Sequence, residues 1–105
     1  MAINSRTKGK RGELEAVQLL KDHGFEARRG QQFKGGPDSP DIIHDAGGVH
    51  FEVKRTERLN VYDALEQAAA DAGEGEHPVV LHRRNGKPWV LVMYADHFLD
   101  SKYFD

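Results

Sequence analysis

Hydrophobic and polar positions divide this chain into stretches of two different periods. From about residue 8 to His23, apolar residues recur three and four apart, Ala16, Val17 and Leu20 among them. That spacing predicts a helix, with Ser5 or Thr7 as its cap and Gly24 as its stop. Alternation takes over from Phe25 to Arg29, where Phe25 and Ala27 interleave with Glu26 and Arg28, and a first strand is expected there. The stretch GQQFKGGPDSP, residues 30 to 40, has no period and reads as a loop, long for a compact domain. A second strand is expected from Asp41 to Asp45, a hairpin turn at Gly47-Gly48, and a third strand from Val49 to Arg55. Pro40 suits a strand entrance because it lacks an N–H and keeps the preceding residue extended.

Further along, Asn60 is a fair N-cap for a second helix reaching about Ala72. Val61, Leu65, Ala68, Ala69 and Ala72 fall on one side of it, and Gln67 is assigned to solvent. Strands four (Val79 to Arg84) and five (Trp89 to Tyr94) flank Asn85-Gly86, a strong hairpin signal. Asp96 is expected to cap a last turn running to Asp100, with Phe98 and Leu99 packing inward. The elements alternate as an α/β protein does.

Composition narrows this picture. A chain of 105 residues fits one domain over 1–105, with residues 1–7 expected as a flexible basic arm. The absence of cysteine excludes disulfides, thiolate zinc sites and cysteine nucleophiles together. No apolar run approaches a signal sequence or a membrane span, so an intracellular, cytoplasmic protein is the expectation. The formal net charge of −2 hides an uneven distribution. Residues 1 to 36 hold eight Lys/Arg against four Asp/Glu, and the remainder holds seven against thirteen. The N-terminal cations Arg6, Lys8, Lys10 and Arg11 suit a polyanion, since each phosphate contact releases counterions. Arg28, Arg29 and Lys34 make the 30–40 loop and its flank basic as well, and Arg55 is assigned to the same nucleic-acid-binding set. Phe33, within that loop, could stack on a base or cover the core.

The acidic remainder leaves room for carboxylates that hold metal. In the third strand, His50, Glu52 and Lys54 must share one face, with Val49, Phe51 and Val53 on the other. Asp41 stands at the mouth of the preceding strand, and Glu13 projects from the apolar stripe of the first helix, where an unpaired carboxylate is costly. Glu15 and Asp22 lie opposite that stripe. Glu13 therefore either pairs with an arginine or joins an acidic cluster. Carboxylates around a lysine fit hard-metal chemistry on phosphodiesters. Asp41 and Glu52 would be the direct ligands, the Val53 carbonyl a third, and Glu13 would reach the cluster through water. Lys54 would orient the attacking water or balance charge on the phosphorane.

These residues, taken together, resemble the PD-(D/E)XK nuclease superfamily, and within it the archaeal-type Holliday junction resolvases and their phage relatives. The resemblance rests on Lys8-Gly9 before Glu13, the run LLKDHGF, Arg29, Pro40-Asp41-Ile42-Ile43 and Phe51-Glu52-Val53-Lys54, and it covers about residues 7 to 94. It implies a restriction-endonuclease-like core of order α-β-β-β-α-β, with a mixed central sheet flanked by helices. It also implies Glu13, Asp41, Glu52 and Lys54 as the catalytic set, with Arg29 and the 30–40 loop on DNA. The activity it implies is Mg²⁺-dependent hydrolysis of branched DNA, with Mn²⁺ able to substitute, by a homodimer. A phage or prophage origin is compatible with it.

Two other readings use the same residues: a nuclease of ends, flaps or duplex DNA, and a non-catalytic DNA-binding module. The six histidines contain no close zinc pair. His44 and His50 are expected to face one another across the hairpin as a polar pair, and His50 is read as a bystander on the Glu52 face. Helix two's alanine side and the strand four-five hairpin with Trp89 are the candidate dimer surfaces.

Overall fold

The computed structural model describes the backbone of residues 5–30 and 41–101, and the side chains of residues 9–30 and 41–101. Eight elements follow in order: α1 (Ser5–Asp22), β1 (Ala27–Arg29), β2 (Ile42–His44), β3 (Val49–Arg55), α2 (Val61–Asp71), β4 (His77–Arg83), β5 (Val90–Met93) and α3 (Ala95–Ser101). Strands β3, β4 and β5 form a mixed sheet, β3 parallel to β4 and β4 antiparallel to β5; β1 and β2 form a separate antiparallel pair. Residues 31–40 of the expected loop, with Phe33, Lys34, Asp38 and Pro40, lie outside the described residues.

Helix α1 starts at Ser5, earlier than expected, and its end explains why β1 is shorter than the alternation implied. Gly24 takes φ +91°, its N–H bonds the Lys21 carbonyl at 3.0 Å, and the Phe25 N–H bonds the Leu20 carbonyl at 3.1 Å. This is a Schellman closure, which uses Phe25 to satisfy helix carbonyls and so withdraws it from the strand. Gly12 has a different role. A Cβ there would lie 2.6 Å from the Arg55 Cβ, so glycine is what lets α1 approach β3.

The core lies in two layers, one on each side of the sheet. On the α1 side, Ala16, Val17 and Leu20 pack with Ile42, Val49, Phe51, Val79 and Leu81; on the α2 side, Ala64, Leu65 and Ala68 pack with Val80. Alternation along β3 and β4 sends odd residues to one helix and even residues to the other. The mixed sheet and flanking helices are thus the expected α/β architecture.

Several expectations are corrected. β2 and β3 form no hairpin ladder, because β2 is taken up by β1. At the glycine turn the Val49 N–H closes on the Gly47 carbonyl at 2.9 Å, and the Gly48 carbonyl accepts from His77 at 2.9 Å, leading β3 into its pairing with β4. His44 does not pair with His50. Its Nε2 lies 2.9 Å from the Val49 carbonyl, its Nδ1 accepts from the Ala46 N–H at 3.0 Å, and its ring packs on Phe51. Asn60 does cap α2, its side chain accepting from the Asp63 N–H at 3.2 Å. On α2, Ala64, Leu65 and Ala68 pack on the sheet, whereas Val61 and Ala69 are exposed. Phe98 and Leu99 are 38% and 56% exposed, because α3 lies beyond β5 with no further layer over it among the described residues. Asp96 lies within α3 rather than before it, as the helix begins at Ala95. Glu15, expected opposite the buried face, accepts from Arg55 at 3.1 Å and Arg83 at 2.8 Å, tying α1 to β3 and β4.

Candidate active site

Asp41 is placed by backbone pairing on one side and by its own side chain on the other. Its carbonyl accepts from the Gly30 N–H at 2.9 Å, extending the β1–β2 pair, in which Arg29 lies opposite Ile42. Its Oδ2 accepts from the Val53 N–H at 2.9 Å, so a carboxylate takes the place of a neighbouring strand at the edge of β3. On β3 the residue before Val53 is Glu52 and the residue after it is Lys54, both on the α2 side.

Glu52 is buried, at 5% exposure. Its Oε2 lies 3.8 Å from Lys54 Nζ and its Oε1 3.6 Å from His50 Nε2, and among the described residues neither Oε1 nor Nε2 has a hydrogen-bond partner. Lys54 Nζ donates to Gln67 Oε1 on α2 at 2.8 Å. Glu13 has only 12% of its side chain exposed and accepts from Arg29 Nε at 2.6 Å. Of the two alternatives for Glu13, the arginine pair is the one observed, and its charge is still felt at Asp41.

The electrostatics are those of crowded acids. Burial, and then the negative charge of Glu52, push the Asp41 carboxyl from 3.8 up to about 7; Glu13 adds to the rise, and the Val53 N–H opposes it. For His50, burial favours the neutral ring, but the adjacent Glu52, with Asp41 and Glu76 behind it, outweighs this and holds its pKa above 6.5. Two carboxyl groups so close that one resists ionisation are an arrangement a bound cation relieves. The donor set fits a divalent metal: Asp41 and Glu52 supply the hard oxygens such an ion takes.

The other expected contacts fall in different places. Lys10 and Arg11 are exposed on α1 and Arg28 is exposed on β1. Arg29 is engaged by Glu13, and Arg55 by Glu15, with Glu57 at 4.0 Å. Side chains of Arg6 and Lys8, and the whole of Lys34, lie outside the described residues. Two residues at the site escaped the sequence reading: Gln67 and Asp71. Both follow from where α2 turns its buried face. Ala64, Leu65 and Ala68 are buried, whereas Val61 is 39% exposed. The stripe is therefore rotated by about 40° from the one drawn through Val61, Leu65, Ala68, Ala69 and Ala72, bringing 67 and 71 towards β3. The parallel β3–β4 connection, which requires one helix over Glu52, was the available signal.

No match was found among curated protein sequences. Among solved structures, the Holliday junction resolvase Hjc of the archaeal hyperthermophile Archaeoglobus fulgidus is similar, at 27% identity and a TM-score of 0.61, over 79% of this chain and 73% of that one. The family model of the archaeal Holliday junction resolvase (Hjc) matches residues 4–100. On that match, which spans α1 to α3 and every acid of the site, the chain belongs to the archaeal Holliday junction resolvase family.

Proposed function

We propose that this protein is a divalent-metal-dependent endonuclease that resolves four-way DNA junctions, with Glu13, Asp41, Glu52 and Lys54 as its working set. The observation carrying this reading is the convergence of Asp41 and Glu52 across the Val53 N–H, with Lys54 one residue further on. Family membership supports the substrate class.

Asp41 and Glu52 would hold the metal, with the Val53 carbonyl available as a further oxygen. Mg²⁺ is the expected ion and Mn²⁺ a substitute, both oxygen-seeking. When bound, such an ion supplies Lewis acidity at the phosphoryl oxygen and makes a nucleophile of water at neutral pH. The protein's own groups do the rest. Lys54, fixed by Gln67 at 2.8 Å, presents an ammonium whose remaining hydrogens can orient the attacking water and offset charge on the pentavalent phosphorus. Glu13, held by Arg29, contributes negative charge next to Asp41. The exposed cations Lys10, Arg11 and Arg28, with Arg6, Lys8, Lys34, Arg29 and Arg55, are proposed to meet phosphates.

A junction needs two symmetric cuts, so we take the working unit to be a homodimer. Support comes from apolar surface around the β5 edge: Phe25, Val90, Leu91 and Leu99 are 40%, 48%, 54% and 56% exposed. Phe25, Val90 and Leu91, with Trp89 and Phe98, border an apolar groove of about 590 Å³. Among the described residues no helix is long and apolar enough to cross a membrane.

The test compares a synthetic four-way junction with a flap, a linear duplex and a single strand, in Mg²⁺, in Mn²⁺ and in EDTA. Paired nicks in the junction that vanish in EDTA are expected, with sedimentation giving a dimer. Equal or better cutting of flaps or ends would move the assignment to the second nuclease reading. Tight junction binding without any cleavage would leave only a binding module.

A further inference from the structure

Glu52 has a second side. Its Oε1 points towards His50, and a carboxylate oxygen of Asp71, from the last turn of α2, completes a group whose three donor atoms lie within 4.8 Å of one another. His50 is 3% exposed and Glu52 5%, and among the described residues neither His50 Nε2 nor Glu52 Oε1 has a hydrogen-bond partner. Two polar atoms this deeply buried, 3.6 Å apart and without a hydrogen bond among the described residues, need an explanation.

A direct imidazole–carboxylate bond is one, but the distance is against it. A charge-assisted N–H···O bond closes to about 2.7–2.9 Å, and the two atoms here lie 3.6 Å apart. Donors sharing one ion behave differently. With bonds of roughly 2.0–2.2 Å, tetrahedral ligand atoms sit about 3.4 Å apart, and octahedral ones about 3.0 Å (cis) or 4.2 Å (trans). The 3.6 Å separation and the 4.8 Å limit fall in the range that needs only small closure around a cation. Asp71 is half-buried, so the group is not sealed from solvent.

We propose that His50 Nε2, Glu52 Oε1 and the Asp71 carboxylate form a second cation site, selective for a first-row transition dication. The imidazole sets the selectivity: Mg²⁺ prefers an all-oxygen shell and gives up water reluctantly, whereas Mn²⁺ and the later ions accept a nitrogen ligand. Glu52 bridges this site and the Asp41 side. His50, which the pattern of the strand alone presents as a bystander, becomes a ligand. The site shares Glu52 with the proposed catalytic pair but does not depend on cleavage.

Mn²⁺ is the probe, read by electron spin-echo modulation on the full-length protein. Asp41→Asn removes one carboxylate from the Asp41 side and leaves the three donors of the second site. Mn²⁺ bound to this variant should show ¹⁴N coupling from one directly ligated imidazole. Adding His50→Gln should abolish that coupling, and adding Asp71→Asn should weaken Mn²⁺ binding by about tenfold or more. Asp71 is half-buried at a helix end, so its variant checks the site where His50→Gln fails to fold. The proposal is overturned if Asp41→Asn binds no Mn²⁺, if its Mn²⁺ shows no nitrogen coupling, or if Asp71→Asn leaves affinity unchanged. None of these results bears on whether the wild-type protein cuts a junction in Mg²⁺.

Discussion

The two faces of β3 belong to the same seven residues and do opposite things. Val49 and Phe51 turn to α1 and are buried among Ala16, Val17 and Leu20. His50, Glu52 and Lys54 turn to α2, where among the described residues two buried polar atoms lack a hydrogen bond and a lysine is held by a glutamine. One face is packed as core, and the other carries the charged groups on which the proposed metal chemistry rests. A single strand can therefore be both core and site, because the twofold period of its side chains separates the two tasks by one residue.

The difference can be broken from either face. The largest effect on stability is expected from Phe51→Ala, which empties the α1-side core and should cost about 3–5 kcal/mol in denaturant unfolding. On the other face the expected sign is reversed. Asp41, with its folded pKa raised from 3.8 to about 7, adds stability to the metal-free protein below pH 4 that is lost as pH rises through 7. The raised His50 has the same sign, its contribution also fading as pH climbs through its folded pKa. Asp41→Asn should therefore match wild type near pH 4 and exceed it by about 2–4 kcal/mol at pH 8 without metal. Urea titrations at the two pH values check this; equal stability at pH 8 would contradict it. Saturating Mg²⁺ should narrow the gap by stabilising wild type alone.

Two smaller effects sharpen the comparison. Gly12→Ala forces a Cβ to 2.6 Å from Arg55 and should cost about 1–3 kcal/mol, although alanine is the better helix former. Gln67→Ala should leave unfolding nearly unchanged and slow single-turnover junction cleavage by about tenfold, because it frees Lys54 without removing it. Gln67→Glu, which keeps an acceptor at that position, should recover part of the rate.

How much of this could be read in the sequence differs by kind of signal. The limits of β3, the Asn60 cap and the separation of Phe51 from Glu52 all follow from local period and capping chemistry. So does the mixed sheet with its flanking helices, once the parallel step from β3 to β4 is recognised. Partner choice between strands was not legible. Gly47-Gly48 has the composition of a hairpin turn, but β1 competes for β2, and a side chain of Asp41 bridges to β3 instead of a ladder. Glu15, Gln67 and Asp71 were missed because each lies at the margin of a helix face, where a small rotation decides between solvent and site. Phe98 and Leu99 have the pattern of core residues, yet among the described residues no layer covers them.

The most direct measurement is single-turnover cleavage of a four-way junction by Glu52→Gln, with unfolding recorded on the same preparation. The account predicts a folded protein, at least as stable as wild type without metal, that cuts no junction in Mg²⁺ or Mn²⁺. Wild-type cleavage rates from a Glu52→Gln protein would contradict it, because the charged face of β3 would then be structure and not site.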